Sequence, residues 1–204
     1  MKTWCESHGL SLNDEKTKVL IFKKPRSDFS SLVSITPNPC SHLKILGVIF
    51  SEELNWDSHV DSIAKSASRR VHVLRQLKKL PSITKKDLLL VYESYILSTI
   101  EYNAPLFTGM SRKNNERLER IRKRCNNIIC GFHCDCDDFP TLSARRLTQA
   151  MKVFSHMQNP QYLIHSLIPH VMSFSKHFYL EPMRTERRLL SFIPFCCIQS
   201  NKQT

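Results

Sequence analysis

The fold is decided by residues 57–79, whose sequence is DSHVDSIAKSASRRVHVLRQLKK. Apolar side chains recur in this stretch at steps of three and four residues, which predicts an amphipathic helix with one face in a hydrophobic core. Asp57 is the predicted N-cap, and Pro81 is predicted to end the helix. The predicted buried face comprises Val60, Ile63, Ala64, Ala67, Val71, Leu74 and Leu77. The opposite face is basic and carries Lys65, Arg69, Arg70, Arg75, Lys78 and Lys79.

Two more amphipathic helices are predicted downstream. Thr84 and Asp87 match a capping box with Asp in place of Glu, so a helix should begin there. Its apolar face comprises Leu88, Tyr92, Tyr95, Ile96 and Thr99, and we expect its tyrosines, with Phe107, to be core residues. A third helix should begin near Ser111 or Asn114 and bury Leu118, Ile121, Cys125, Ile128 and Ile129. Its basic residues, mostly on the outside, are Arg117, Arg120, Arg122, Lys123 and Arg124. Three such helices predict a bundle over residues 57–131.

The first 56 residues predict β structure. Val19–Phe22 and Leu32–Ile35 are short apolar runs that predict strands, and Leu43–Phe50 predicts a third strand with Gly47 inside it. The predicted fold class is therefore α+β, a small antiparallel β element followed by a mainly helical bundle. Residues 132–204 predict a less regular extension of helices and loops.

The charge of the chain points to a polyanionic partner. Its 30 Lys/Arg against 18 Asp/Glu give a net charge of +12, and fifteen of the basic residues lie in residues 57–124 with only seven acidic ones. Such an excess favours nucleic acid or an acidic membrane surface, although basic helix faces also serve solubility alone. Four glycines and no glycine-rich phosphate-loop motif argue against a nucleotide-binding loop. No apolar run approaches the roughly 18 residues that span a bilayer. Of the two classes of partner, nucleic acid is predicted and a membrane is not.

Eight cysteines raise the question of metal binding. Without a signal-peptide pattern, free thiols in a reducing compartment are favoured over disulfides. Cys130, His133, Cys134 and Cys136 could in principle hold zinc, but their spacing fits no common zinc finger. Cys125 and Cys130 also lie near an apolar helix face, so we predict no metal site there.

Three segments carry a resemblance to a known family. Leu10–Lys18, LSLNDEKTK, resembles the L-x-L-N-x-x-K-T-K segment, motif D, of reverse transcriptases from non-LTR retrotransposons, the jockey-like LINE-type elements. Leu43–Phe50, LKILGVIF, resembles that family's K-Y-L-G-V strand, motif E or primer grip, and Leu54–Val60, LNWDSHV, resembles its L-x-W-x-x-H-[IV] continuation. Tyr95–Pro105 is similar to part of the family's thumb. The resemblance covers most of the chain and fades after about residue 131.

The resemblance implies that residues 1–56 are the end of a polymerase palm and residues 57–131 a thumb. Lys16 would then act near the leaving pyrophosphate, where an ammonium offsets developing negative charge, unless it is only a surface lysine. Lys18, Leu46, Gly47 and Val48 would contact nucleic acid, with Gly47 allowing close approach of the primer backbone or only packing in its strand. The nucleic-acid-binding residues of the thumb would be Lys65, Arg69, Arg70, Arg75, Lys78, Lys79, Arg117, Arg120, Lys123 and Arg124.

The family's catalytic carboxylates hold two Mg²⁺ ions and come from an F/Y-A-D-D hairpin and an earlier strand, neither of which occurs in this sequence. Asp137–Asp138 lacks a strand pattern around it and is predicted to be a solvated loop. The chain by itself is therefore predicted to be inactive and to hold no cofactor. The function we predict is binding of an RNA template with its DNA primer, as part of an RNA-directed DNA polymerase whose palm and fingers would be a further partner. The alternatives are a non-enzymatic nucleic-acid-binding module and a decayed element product.

Overall fold

The computed structural model describes residues 2–11, 13, 16–22, 38–131 and 140–202. It contains two compact units, Met1–His59 and Val60–Thr204. The first carries a two-stranded antiparallel sheet and the second is built of helices, which confirms the predicted α+β class. The division falls three residues after the boundary predicted at residue 56, and residues 140–202 belong to the same unit as residues 60–131.

The sheet of the first unit is a hairpin. Strand β1 (His42–Ile45) pairs antiparallel with β2 (Val48–Ser51), with His42 opposite Ser51 and Ile45 opposite Val48. Leu46 and Gly47 form the two-residue connection, with φ angles of 48° and 86°. A type I′ hairpin turn needs positive φ at both central residues, which Gly adopts readily and Leu only at a cost. The prediction of one strand over Leu43–Phe50 is therefore wrong, because the chain reverses at Leu46–Gly47.

The remainder of the first unit is short elements. Helix α1 (Lys2–Ser7) is followed by Gly9 with φ 68°, the left-handed conformation expected after a helix end. Val19 forms an isolated parallel bridge with Pro39, while residues 20–22 form no strand, so the strand predicted over Val19–Phe22 is wrong. The strand predicted over Leu32–Ile35 lies outside the described residues.

Helix α2 (Asp57–Leu77) follows the predicted pattern. Its first helical residue is Asp57, one position earlier than an N-cap at Asp57 implies, and it ends before Pro81. Leu77 is half-buried, and the rest of the predicted apolar face is buried: Val60, Ile63, Ala64, Ala67, Val71 and Leu74. The helix thus turns its basic residues away from the core.

Helix α3 contains a π-helical turn. It comprises Lys85–Val91, the π-helical Tyr92–Leu97 and the α-helical Ser98–Ile100. The predicted capping box is present, since the Thr84 amide donates to Asp87 Oδ2 over 2.9 Å and the Asp87 amide donates to Thr84 Oγ1 over 3.3 Å. Tyr92 is buried as predicted, whereas Tyr95 is 44% exposed and is not a core residue. The wider π-helical turn changes the phase of the apolar face, which a constant 3.6-residue period does not anticipate.

A short 3₁₀ helix (Ala104–Phe107) leads to helix α4 (Arg112–Cys130), and Phe107 is buried as predicted. Ser111 is the N-cap of α4, because its Oγ accepts a hydrogen bond from the Asn114 amide over 3.3 Å. The buried apolar face contains Leu118, Ile121, Cys125 and Ile129, as predicted, while Ile128 is half-buried. The predicted periods of α2 and α4 are therefore confirmed, whereas that of α3 fails at the π-helical turn.

The C-terminal helices continue the same unit. Helix α5 (Leu142–Met157) packs on the 3₁₀ helix and on α4, a second 3₁₀ helix covers Leu163–Leu167, and α6 (Glu186–Leu189) precedes α7 (Phe192–Asn201). Helix α7 packs on α5, where Cys196 and Cys197 of α7 and Ala150 and Phe154 of α5 form a fully buried cluster. Every helix in the described part of the chain is too short or too polar to cross a bilayer.

Candidate nucleic-acid interface

A groove about 690 Å³ in volume lies between α2 and α4. It adjoins a second recess of about 570 Å³, and Arg120 and Arg124 line both. We call the two together the basic groove, because the cationic residues that line it are Lys65, Arg69, Arg75, Lys78, Arg117, Arg120, Lys123 and Arg124. Its other lining residues are Ala64, Ser68, Ile121, Asn127 and Ile128. Eight of the ten thumb residues predicted to bind nucleic acid therefore share one surface.

The sequence period explains why these cations share a side. On α4, Arg117, Arg120 and Arg124 are spaced by three and four residues, so they lie along one stripe of the helix. On α2, Lys65 and Arg69 are spaced by four, and Lys78, directly after the helix, follows Arg75 by three. Since α2 and α4 bury their opposite sides in the core, both basic stripes remain at the surface where the helices meet.

An acidic residue pairs with two cations at one end of the basic groove. Asp61 of α2 pairs with Lys65, its Oδ2 lying 2.7 Å from the lysine Nζ. Its Oδ1 accepts a hydrogen bond from Nη2 of Arg117 on α4 over 2.6 Å. The hydrogen bonds from Lys65 and then from Arg117 lower the pKa of Asp61, so the carboxylate is ionised at neutral pH. Asp61 thus pairs with two of the groove's own cations and connects α2 to α4 through Arg117.

At the other end of the basic groove, a lysine connects the end of α2 to the end of α4. The Lys78 ammonium donates a hydrogen bond to the backbone carbonyl of Ile128, which lies in the last turn of α4. Carbonyl groups in a last helical turn have no partner within the helix and carry the negative end of its dipole, so a cation is favoured there. Because Asp61 and Arg117 join the beginnings of the two helices and Lys78 and Ile128 join their ends, α2 and α4 run in the same direction.

Two of the predicted basic residues lie outside the groove lining. Arg70 donates hydrogen bonds to the carbonyl of Tyr95 and to Thr99 Oγ1, and its guanidinium carbon lies 4.4 Å from the centre of the Tyr95 ring. Arg70 therefore attaches α2 to the π-helical part of α3, and its donors are directed away from the groove. Lys79 is exposed but does not line the groove.

The predicted site residues of the first unit have different surroundings. Lys16 and Lys18 are exposed, and the Lys16 amide donates to Asn13 Oδ1 over 3.0 Å. Asn13 therefore provides an acceptor for the backbone of Lys16, which gives the Asn of the quoted segment a structural role. At the hairpin turn Leu46 is 84% exposed, whereas Val48 is buried. Gly47 belongs to this turn, where its positive φ favours glycine. Close approach of a primer backbone to Gly47 stays a prediction.

The cysteines of the described residues form no metal site. Burial raises the pKa of the Cys125 thiol to about 12 and that of Cys196 to about 12, so these thiols are neutral at physiological pH. The described ranges contain no group of three His, Cys, Asp or Glu side chains placed to hold a metal ion. Cys130 is half-buried, and the other members of its cluster, with Asp137–Asp138, lie outside the described residues.

Asp61 is a residue of this site that the sequence did not predict. Among the residues of α2 only Asp57 and Asp61 are acidic, and Asp61 precedes Lys65 by four residues, which indicates a pair within the helix. The bond to Arg117 joins residues 56 positions apart, and no local signal predicts it. The missing information was the relative position of α2 and α4.

The charges that line the basic groove are of the sign that attracts phosphate groups. Among its lining residues there is no aromatic side chain on which a base could stack, and all its charged lining residues are cations.

Comparison with known proteins adds no relative: no family model, no curated protein and no solved structure matches the chain.

Proposed function

We propose that the helical unit binds the sugar–phosphate backbone of nucleic acid through the basic groove. The observation that carries this proposal is the convergence of eight Lys and Arg side chains, from α2, the residue after it and α4, on one surface. Lysines and arginines that neutralise phosphates release condensed counterions, which supplies affinity without reading base sequence. A scattered arrangement of the same charges would offer a polyanion no continuous path.

The length of the groove suits several successive phosphates. Lys65 of α2 and Lys78, the residue directly after α2, are thirteen positions apart, which corresponds to roughly 20 Å at 1.5 Å per residue. One strand of a duplex advances about 3.4 Å per nucleotide, so roughly six nucleotides would lie beside the groove. Without aromatic lining residues, base stacking would contribute little, which favours a duplex backbone over unpaired bases.

We further propose that this binding serves an RNA-directed DNA polymerase of the non-LTR retrotransposon type, with an RNA template and DNA primer as the bound duplex. The support is the segment LSLNDEKTK, the segment LKILGVIF and the basic helices that follow them in the order of that family. In such a polymerase Mg²⁺ would activate the primer hydroxyl and hold the triphosphate. The described residues do not supply the carboxylate cluster that this ion needs, so no catalytic step is assigned to them.

A binding titration at several salt concentrations tests the proposal. Fluorescently labelled duplex DNA, an RNA–DNA hybrid and single-stranded RNA would each be titrated with the purified chain. We expect the logarithm of the association constant to fall linearly with that of the salt concentration, by about 0.9 for each phosphate neutralised on a duplex. The double variant Arg120→Ala/Arg124→Ala should weaken binding about tenfold or more, because fewer counterions are released. Each phosphate contact that is lost should also reduce the slope of the salt dependence by about 0.9.

The matched control is Lys85→Ala/Lys86→Ala. These lysines are exposed on the first turn of α3, lie outside the groove lining, and their loss lowers the net charge by the same two units. Equal losses in the two double variants would show that net charge, not the groove, determines affinity. Absence of binding at low salt would instead indicate a decayed product and would refute the proposal.

A further inference from the structure

Asp61 is the one acidic side chain paired with groove cations in the described part of the chain. It lies at the end of the basic groove where α2 and α4 begin. Its two oxygens are divided between two helices, with Oδ2 directed to Lys65 and Oδ1 to Arg117. A phosphate group bridges cations in the same manner, through separate anionic oxygens on one centre.

We propose that Asp61 is a built-in competitor of the nucleic-acid phosphate, which limits the affinity of the groove by occupying Lys65 and Arg117. This inference rests on the proposed function and concerns its regulation at one position. The groove is thereby divided along its length. At the beginning of α2 two cations are already neutralised in part, whereas Arg69, Arg75, Arg120, Lys123 and Arg124 form no ion pair within the described residues.

The exposure of the three side chains makes competition feasible. Lys65 is 71% exposed, Arg117 is 42% exposed and Asp61 is 37% exposed, so an incoming phosphate can reach both cations without displacing core residues. Ion pairs at this exposure contribute little to stability because water screens them and the side chains lose freedom. The principal effect of the two Asp61 ion pairs is therefore to lower the affinity of Lys65 and Arg117 for a phosphate group.

The direction of the effect follows from the charges. While Asp61 is ionised, a phosphate at this end must displace or share the carboxylate and is repelled by it. Substitution by asparagine keeps the size of the side chain and one acceptor oxygen but removes the charge. Lys65 and Arg117 then become available for up to two further phosphate contacts, which should also steepen the salt dependence.

The experiment compares Asp61→Asn with Glu116→Gln. Glu116 pairs with Arg112 through Oε1 and Nε at 2.8 Å, also at a spacing of four residues, and it does not line the groove. Each variant therefore removes one acidic charge from an exposed pair and raises the net charge equally. Binding of a duplex DNA of defined length would be measured at several salt concentrations, with thermal melting of each variant to verify folding.

We expect Asp61→Asn to bind duplex DNA about threefold to tenfold more tightly at low salt. The salt dependence of its binding should be steeper by an amount that corresponds to about one or two further phosphate contacts. Glu116→Gln should show only the smaller, general effect of one unit of charge. Equal gains in both variants would overturn the proposal. Weaker binding by Asp61→Asn would also overturn it, since Asp61 would then position Lys65 and Arg117 for the ligand.

Failure of this inference is distinguishable from failure of the proposed function. If the parent chain binds and Arg120→Ala/Arg124→Ala weakens it, the groove is the binding surface whatever Asp61 does. If the parent does not bind, both proposals fall together. A charge-preserving variant, Asp61→Glu, should remain close to the parent, and a gain as large as that of Asp61→Asn would contradict the competition of charges.

Discussion

The guanidinium of Arg70 lies over the ring of Tyr95, with 4.4 Å between its central carbon and the ring centre, and it donates to the carbonyl of the same residue. Tyr95 belongs to the π-helical turn of α3, in which the regular i to i−4 hydrogen-bonding pattern is interrupted. Arg70 therefore supplies donors to an irregular part of the backbone. In the sequence Arg70 looks the same as its neighbour Arg69, but only Arg69 lines the basic groove.

This relationship predicts that Arg70 stabilises the fold rather than binding nucleic acid. Arg70→Ala should lower the free energy of unfolding by about 1–2 kcal/mol, because a charged hydrogen bond and a partly exposed cation–π contact are lost together. Urea denaturation followed by far-ultraviolet circular dichroism would measure the change. Arg75→Ala, an exposed groove residue of the same helix, should show the opposite pattern, with stability retained and duplex affinity reduced. A loss of affinity for Arg70→Ala as large as for Arg75→Ala would contradict this assignment.

The hairpin turn predicts a strong preference for glycine at position 47. Gly47 has φ 86°, so a side chain with a branched Cβ would force the turn into a conformation that L-residues avoid. Gly47→Val should destabilise the hairpin by about 1 kcal/mol or more, whereas Gly47→Asn should be tolerated better. Trp4 and Trp56 are the two tryptophans of the chain and both belong to the first unit, so tryptophan fluorescence during urea unfolding reports on this change. Equal stability of the valine and asparagine variants would argue against the turn.

The second core predicts that the C-terminal helices contribute to the stability of the helical unit. Phe154 is fully buried, and its ring packs against Phe178 at a centroid distance of 5.4 Å. Phe154→Ala should cost about 3–5 kcal/mol, the usual range for removing a buried aromatic ring. Val153→Ala is the neighbouring control, since Val153 is 42% exposed and should change stability little. Denaturant unfolding of both variants makes the comparison, and similar small losses would mean that α5 and α7 do not share this core.

The sequence predicted α2 and α4 well because their periods are regular and their ends carry ordinary signals, such as Ser111 before α4 and Pro81 after α2. It also predicted the cationic residues that line the basic groove, since side chains three and four residues apart on a helix lie on one side. It did not predict the turn at Leu46–Gly47, because an uninterrupted apolar run is equally compatible with one strand. It missed Arg70's role for another reason, because the π-helical turn that Arg70 contacts depends on packing between helices.

The same limit applies to the polar contacts that attach α5 to the bundle. Arg145 pairs with Glu101 through two nitrogens, one of them 3.0 Å from Oε2, and Glu119 Oε1 accepts a hydrogen bond from the Leu142 amide over 2.6 Å. Glu119 thereby satisfies a backbone donor at the beginning of α5. These pairs join residues 44 and 23 positions apart, so each depends on the tertiary arrangement and not on a local pattern.

The environment of His59 predicts that the first unit loses stability below neutral pH. His59 is buried and its Nδ1 accepts a hydrogen bond from the Ile49 amide over 3.4 Å. Burial, and to a smaller extent the charge of Lys44, lower the pKa of His59 below its usual value of 6.5. The unfolded chain therefore takes up a proton at a higher pH than the folded chain does. Stability is fully present above 6.5 and is lost as the pH falls from there through the lower folded pKa.

The variant His59→Gln removes this titration while keeping an acceptor for the Ile49 amide. The free energy of unfolding of the parent, followed by tryptophan fluorescence between pH 7 and pH 5, should fall more steeply than that of His59→Gln, by at most about 1.4 kcal/mol per pH unit for one proton. His72→Gln is the control, because His72 is an exposed histidine on α2. Parallel curves for the parent and His59→Gln would show that His59 takes up its proton equally in the folded and unfolded chain, and would refute this account of its burial.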